Sequence, residues 1–366
     1  MFISTGATKI VSLIAASVAL MALLACTSDA PAKPAYEGNV NLVAYSFGGK
    51  YDEGSRALWC EEIGLKCTFH AGGSVSNVSK VIAEKNNPQA DMLFVDDALV
   101  PELIENGAII PIDIERCCEE NYDGYFGFVK EEMTALENHF IPILLQITGI
   151  TYRKDLLDEN GLSYPTGWDS LWDPQYKGKV QLETWTKNSG WSTVEAIAAV
   201  RCGDPKNLDC AYEEVKKLKD TGQLWGVATS GSQRRRNLTD GTSWVAITSS
   251  RTAAELKAGG VDVGFIAPPE YPVSNTTGFV VTSDRNYEAV MDFLKQASTP
   301  QLVAKWLDYS SEGPVHSKVR DYASTEMIAR NPTTEVEAAG YKIPDFAFMR
   351  SFRPSFMEKL IQEIAN

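Results

Sequence analysis

Three short runs of glycine and serine stand where helices would begin: Gly72-Gly73-Ser74-Val75, Asn188-Ser189-Gly190-Trp191 and Ser230-Gly231-Ser232-Gln233. A helix start of this kind offers free backbone N–H groups and a small hydroxyl, the ingredients of an anion seat; the same residues also serve as plain N-caps under solvent. Arg234 follows the third run, in Arg234-Arg235-Arg236, and Arg251 follows Thr248-Ser249-Ser250 at a strand-to-helix turn. Either guanidinium suits a carboxylate, phosphate or phosphonate. Opposite chemistry is also present. Asp96 and Asp97 end a predicted strand, and Glu183 lies near Trp185 and Trp191. Carboxylates beside aromatic faces clamp organic cations, and acid combined with helix starts suits a zwitterion. The chain lacks H-E-x-x-H, G-x-S-x-G and a phosphate loop, and its three histidines, His70, His139 and His316, are scattered. Catalysis is therefore not expected; a secreted hydrolase using paired carboxylates stands as the alternative of another class.

The net charge of −14 argues against nucleic acid, because no basic face is available to neutralise phosphates. After Lys9, an apolar run over 10–24 closes on Leu23-Leu24-Ala25-Cys26. It is too short to span a bilayer comfortably and ends in small residues, which reads as a secretory signal. The following 27–37, with Pro31 and Pro34, reads as a disordered tether. What remains is long enough for two domains. Export disfavours ATP-driven or NAD-dependent chemistry, and no cofactor is expected. Beyond Cys26, six cysteines fall in local pairs. In an exported chain such an even count suggests disulfides. Cys60–Cys67 and Cys202–Cys210 would close small loops. Cys117 and Cys118 are either a vicinal bridge, two free thiols or part of a soft-metal site.

The elements that must position these residues alternate. Strands are predicted over 39–45, 66–69 and 91–95, with helices over 52–63, 75–86 and 101–106 between and after them. This β-α-β-α-β rhythm indicates a doubly wound α/β lobe. A second set follows a strand over 141–152: strands at 179–183, 244–248 and 261–266, helices at 192–200, 211–221 and 251–258. A Pro-rich polar stretch fills 267–277, β character resumes at 278–282, and helices at 287–297, 300–308 and 354–364 finish the chain.

Four motifs occur in order: Glu84-Lys85-Asn86-Asn87-Pro88-Gln89-Ala90-Asp91; Gly107-Ala108-Ile109-Ile110-Pro111; Trp168-Asp169-Ser170-Leu171-Trp172-Asp173-Pro174 running on through Gly178-Lys179-Val180; and Asp240-Gly241 with Trp244-Val245-Ala246-Ile247, followed by Val263-Gly264-Phe265-Ile266-Ala267-Pro268. Together they resemble the type II periplasmic solute-binding proteins of ABC importers, in the group that covers ferric-iron, phosphonate, sugar-phosphate and polyamine receptors. Leu23-Leu24-Ala25-Cys26 is similar to the lipobox of bacterial lipoproteins.

The resemblance implies two doubly wound α/β lobes joined by crossover strands, with a ligand cleft between them. Its boundaries would be a signal peptide at 1–25, a lipidated tether at 26–38, lobe 1 at 39–145 plus 278–310, lobe 2 with hinge strands at 146–277, and a C-terminal segment at 311–366 packing across the lobes. The crossovers would fall at 144–152 and 266–279. The implied ligand-binding residues are Tyr45, Ser46, Tyr51, Ser74, Val75, Asp97, Trp185, Ser189, Gly190, Trp191, Gln233, Arg234, Ser250, Arg251 and Tyr271. Implied partners are a small solute, an ABC permease with its ATPase, and a membrane through lipid on Cys26, with the protein monomeric. The expected solute is a small anion or zwitterion bearing phosphonate, phosphate or carboxylate, with polyamine and ferric iron behind it. Iron-binding relatives carry adjacent tyrosines where Ser249, Ser250 and Arg251 stand here, and Tyr45, Tyr51 and Tyr271 are the phenols that remain for a hard metal. The same body would also serve a ligand sensor.

Overall fold

The computed structural model describes residues 40–183 and 188–365; the signal, the tether, Cys26 and Trp185 lie outside them. The chain opens with β1 (Asn41–Ser46), α1 (Lys50–Ser55), β2 (Lys66–Ala71), α2 (Ser74–Glu84), β3 (Met92–Asp96) and α3 (Val100–Glu105). β1 pairs in parallel with both β2 and β3. The helix expected over 52–63 changes winding as it runs: α1 passes into a wider turn, Arg56–Cys60, then a tight one, Glu61–Ile63. It stops at Gly64, whose φ of 73° suits glycine at a helix end.

Helices α4 (Ile114–Tyr122) and α5 (Gly127–Ala135) lead to the long strand β4 (Ile141–Arg153). There follow α6 (Lys154–Glu159), β5 (Val180–Leu182), α7 (Asn188–Cys202), α8 (Leu208–Asp220), β6 (Leu224–Val227), α9 (Gly231–Thr239), β7 (Val245–Ser249), α10 (Ser250–Ala258), β8 (Val263–Ile266) and β9 (Val273–Val281). The chain closes with α11 (Tyr287–Ser298), α12 (Pro300–Ser310), β10 (Gly313–Pro314), α13 (Thr325–Arg330), α14 (Glu335–Ala338) and α15 (Phe346–Leu360).

Rather than two separate sheets, one hydrogen-bonded ladder runs β2-β1-β3-β9-β4-β7-β5-β6, because the strands that pass between the halves pair with each other. β4 is antiparallel to β9 over residues 141–148, then to β7 over 148–152. β9 starts five residues before the β character expected at 278. Its polar first half, Val273-Ser274-Asn275-Thr276-Thr277, carries no apolar alternation, yet all of it is buried at the centre of the sheet. Tertiary position overrides propensity there.

Four apolar clusters give the fold its two lobes. Around the first half of the sheet, one cluster holds Leu42, Trp59, Phe94, Ile143, Phe279, Phe293 and Trp306, and another holds Tyr45, Val78, Leu93, Val95, Leu103 and Val280 on the other face. Alternate residues of β3, Leu93 and Val95 against Met92 and Phe94, feed the two sides, which is the period of a strand covered on both faces. The second half repeats this with Trp168, Tyr176, Val194, Ile197, Val215 and Phe356 on one face and Leu238, Ala246, Leu256 and Val263 on the other. The C-terminal stretch supplies Val315, Val319 and Met327 to the first lobe and Phe356, Leu360 and Ile364 to the second. Cys60–Cys67, Cys117–Cys118 and Cys202–Cys210 are all bridged, so the open case of Cys117 and Cys118 resolves to a vicinal disulfide.

Candidate functional site

Two cavities flank the crossover strands. One of about 500 Å³ lies where β1, β3 and β7 end, the place at which open α/β sheets bind ligands, with the middle of β4 and the first half of β9 alongside. The other, about 830 Å³, lies between α3, α5 and the 335–346 stretch. β9 separates them: Asn275 and Thr277 line the smaller cavity, while the intervening Thr276 bonds to carboxylates that line the larger. We place the cleft at the smaller one, because three helix starts and both signs of charge converge there.

On the first wall, Gly73, Ser74, Val75 and Ser76 present the start of α2 to the cavity. Gly72 is required beneath it, since a Cβ would lie 2.2 Å from Asn77 Oδ1. Asn77 in turn donates to the Ser46 carbonyl at 3.1 Å, tying α2 to β1. Asp96, at the end of β3, accepts from Ser74 Oγ at 2.7 Å and from Thr277 Oγ1 at 2.8 Å, which fixes its carboxylate toward the cleft. Phe47 and Tyr51 line the same wall with ring centroids 5.8 Å apart, edge to face.

The second wall is built from α7, α9 and α10. Ser189, in the first turn of α7, approaches Glu183, which forms a buried ion pair with Arg234. Desolvation pushes the Arg234 guanidinium down to about 10, where it remains charged at neutral pH. Arg234 also donates to Thr252 Oγ1 at 3.0 Å. Ser249 caps α10, and Arg251 in its first turn holds Glu255 at 2.8 Å and Glu312 at 3.2 Å. Its guanidinium lies 4.8 Å from the Tyr51 ring centroid and donates to the Tyr51 hydroxyl. Tyr51 in turn donates to Glu312 at 2.7 Å. Burial raises the Glu312 carboxyl, and the nearby Arg251 opposes that rise. This Tyr51–Arg251–Glu312 cluster ties one wall to the other.

Of the side chains expected in the site, the structure brings together Tyr51, Ser74, Val75, Ser189, Arg234 and Arg251. It places the others elsewhere. Tyr45 is buried and donates to Glu84 at 2.7 Å. Ser46 is buried against Asp52, and Gly190 and Ser250 are buried in the first turns of their helices. Trp191 packs on Phe356, with centroids 5.6 Å apart. Gln233 folds back to accept from the Thr229 amide at 2.7 Å, so the α9 start does not face the cleft and α10 takes its place. Tyr271 donates to Glu195 at 2.8 Å, which leaves the three tyrosines considered for a metal on three unrelated partners. Among the described residues no cluster of three His, Cys, Asp or Glu could hold a metal ion.

Asp97 is the sharpest displacement. β3 ends at Asp96, which takes the cleft, and the tight turn Asp97–Leu99 that follows carries Asp97 to the cavity behind. There it accepts from the Thr276 amide at 2.8 Å, and Thr276 Oγ1 also bonds Glu132 at 2.8 Å. Burial, with Asp96 adding to it, raises Asp97 to about 7, and burial likewise raises Glu132 well above its ordinary value. Sequence reasoning passed over Gln146, Asn275, Thr277 and Ser249, all of which line the cleft. Gln146 had a signal: it is the single polar residue within the apolar 141–147 stretch apart from proline.

Residues 63–336 match the family model described as bacterial extracellular solute-binding protein. The chain belongs to that family. Its members are solute-binding transport proteins, not enzymes. No helix among the described residues is long and apolar enough to cross a membrane. An uncharacterized protein of Haemophilus influenzae is 26% identical over 71% of each chain. The spermidine/putrescine-binding periplasmic protein of Escherichia coli is 22% identical over 50% of this chain and 51% of that one, so the chain spans about half of that relative's length. Among solved structures, an ABC transporter protein from Clostridium perfringens superposes with TM-score 0.73 at 20% identity, covering 89% of this chain and all of the other. The spermidine/putrescine ABC transporter substrate-binding protein of Streptococcus pneumoniae gives 0.72 at 15% identity, over 89% and 99%. A GABA receptor gives 0.71 at 16% identity, over 88% and 97%. These likenesses establish the fold of a two-lobed periplasmic binding protein.

Proposed function

We propose that this chain is the substrate-binding component of an ABC importer, and that it captures a small organic solute carrying both an amine and an anionic group. The observation that carries this reading is the pairing of opposite seats in one cavity. Asp96 is oriented by two hydroxyls on one wall, and Arg251 with the start of α10 stands on the other. An ammonium suits the carboxylate and a carboxylate or phosphonate suits the guanidinium and helix start. Closure of the lobes would make both contacts at once, giving the ligand a differential affinity for the closed state.

A polyamine is the second reading. The acidic groups and the Phe47–Tyr51 aromatic corner support it, as do the relatives that bind spermidine and putrescine. Arg234 already pairs with Glu183, and Arg251 with Glu255 and Glu312, so their charges are no bar to a cationic ligand; the zwitterion comes first because the start of α10 and Arg251 also face the cavity. In this reading the protein is delivered outside the cytoplasm, held by lipid on Cys26, and works as a monomer with a permease and its ATPase. A thermal-shift panel tests it. Stabilisation by an ω-amino acid or aminophosphonate supports the zwitterion; stabilisation by spermidine or putrescine alone supports the second reading; a response to neither defeats both.

A further inference from the structure

One acceptor at the floor of the cleft is left over. Gln146 on β4 and Asn275 on β9 stand directly opposite each other in the antiparallel ladder, and both line the cavity. Asn275 is 1% exposed, and its side-chain oxygen has no hydrogen-bond partner among the described residues. Two residues along the same face of β9, Thr277 donates to Asp96. A buried amide oxygen without a donor is costly unless whatever enters the cavity supplies one.

We propose that Asn275, with Gln146 beside it, is the specificity-determining acceptor of this cleft and reads the N–H groups of a primary ammonium. The receptor would then select free amines over fully N-methylated ones. This rests on the amine-bearing solute argued above and adds which amines are admitted. A primary ammonium brings three donors. Asp96 answers its charge, and Asn275 Oδ1 accepts one N–H. Gln146 sits one cross-strand position away, within reach of the same group. A trimethylammonium carries the same charge but no N–H, so it leaves the Asn275 oxygen unpaired and adds bulk at the floor of the cavity. Recognition by a missing donor discriminates more strongly than recognition by size alone. The arrangement also orients the solute, with its amine against the crossover strands and its anionic end toward Arg251.

The test is isothermal titration of the full chain with 4-aminobutyrate and putrescine against their N-trimethylated counterparts. The free amines are expected to bind tighter by about tenfold or more, the scale of one buried hydrogen bond. Asn275→Leu should bring that ratio close to one while its melting temperature stays near that of the parent. Gln146→Leu should lower it by a smaller factor. Equal binding of free and methylated amines by the unmodified chain overturns the proposal and leaves the receptor reading standing. So does an Asn275→Leu protein that keeps the full ratio, or one that loses butyrate as heavily as 4-aminobutyrate. If no amine binds at all, both fall together. The comparison on the unmodified chain decides the matter even if a variant does not fold.

Discussion

The carboxylate pair behind β9 makes stability depend on pH in a direction opposite to ordinary acid denaturation. Asp97 is 3% exposed, shares Thr276 with Glu132, and is raised from 3.8 to about 7, chiefly by burial and then by Asp96. A folded-state carboxyl with a raised value keeps its proton where the unfolded chain has lost it. Its contribution is therefore intact below about 4 and is lost as pH climbs toward 7. At about 1.36 kcal/mol per pH unit, the displacement amounts to at most about 4 kcal/mol, and about 2–3 kcal/mol between pH 5 and 7. Asp97→Asn should remove the share that Asp97 contributes, while Glu132 stays buried, at a fixed cost of about 1 kcal/mol for whichever of the Ala98 and Thr276 backbone N–H groups is left facing the asparagine nitrogen. Urea unfolding of both proteins at half-unit steps from pH 4.5 to 8 reads the effect. The buried His316, lowered to about 4 by desolvation, works in the opposite sense between about 4 and 6.5, and it cancels in the difference between the two proteins. The variant should gain on the parent as pH rises. A constant offset across the range would refute the assignment of a shared, buried proton to this pair.

Three further outcomes are expected. Arg251→Ala should weaken a zwitterionic solute by about 1.5–3 kcal/mol, the range for a charge-assisted bond, while leaving putrescine affinity unreduced; titration calorimetry reads both. Trp59→Ala should cost about 3–5 kcal/mol in chemical denaturation, because Trp59 is fully buried, stacked 5.0 Å from Trp306 and edge-on to Phe293. Cys26→Ser should move the protein from the membrane to the soluble fraction of cells; retention in the membrane would dispose of the lipid anchor.

Much of the frame is legible in the sequence because it follows period and punctuation. The glycines before Ser74 and the apolar run ending at Asp96 announce a helix start and a buried strand, and both line the cleft as neighbours. What could not be read is which of two adjacent residues faces the cleft. Asp96 and Asp97 are chemically identical, and only the register of β3 against β9 separates them. The α9 start is built of glycine and serine like the α2 start, yet Gln233 closes it from within. Asn275 and Thr277 sit in a stretch whose polarity indicates a loop. They form a strand because Leu145, Gln146 and Ile147 on β4 supply the hydrogen-bonding edge that local propensity does not.

Each sulfur bridge joins cysteines that are near neighbours along the polypeptide, 7, 1 and 8 positions apart. The partners 7 and 8 positions apart meet by local diffusion of the backbone, well before any distant segment has to arrive. Oxidation therefore needs no template from the finished architecture. A chain emerging unfolded into an oxidising compartment can complete its covalent pattern first and assemble its lobes afterwards, without wrong partners to unscramble.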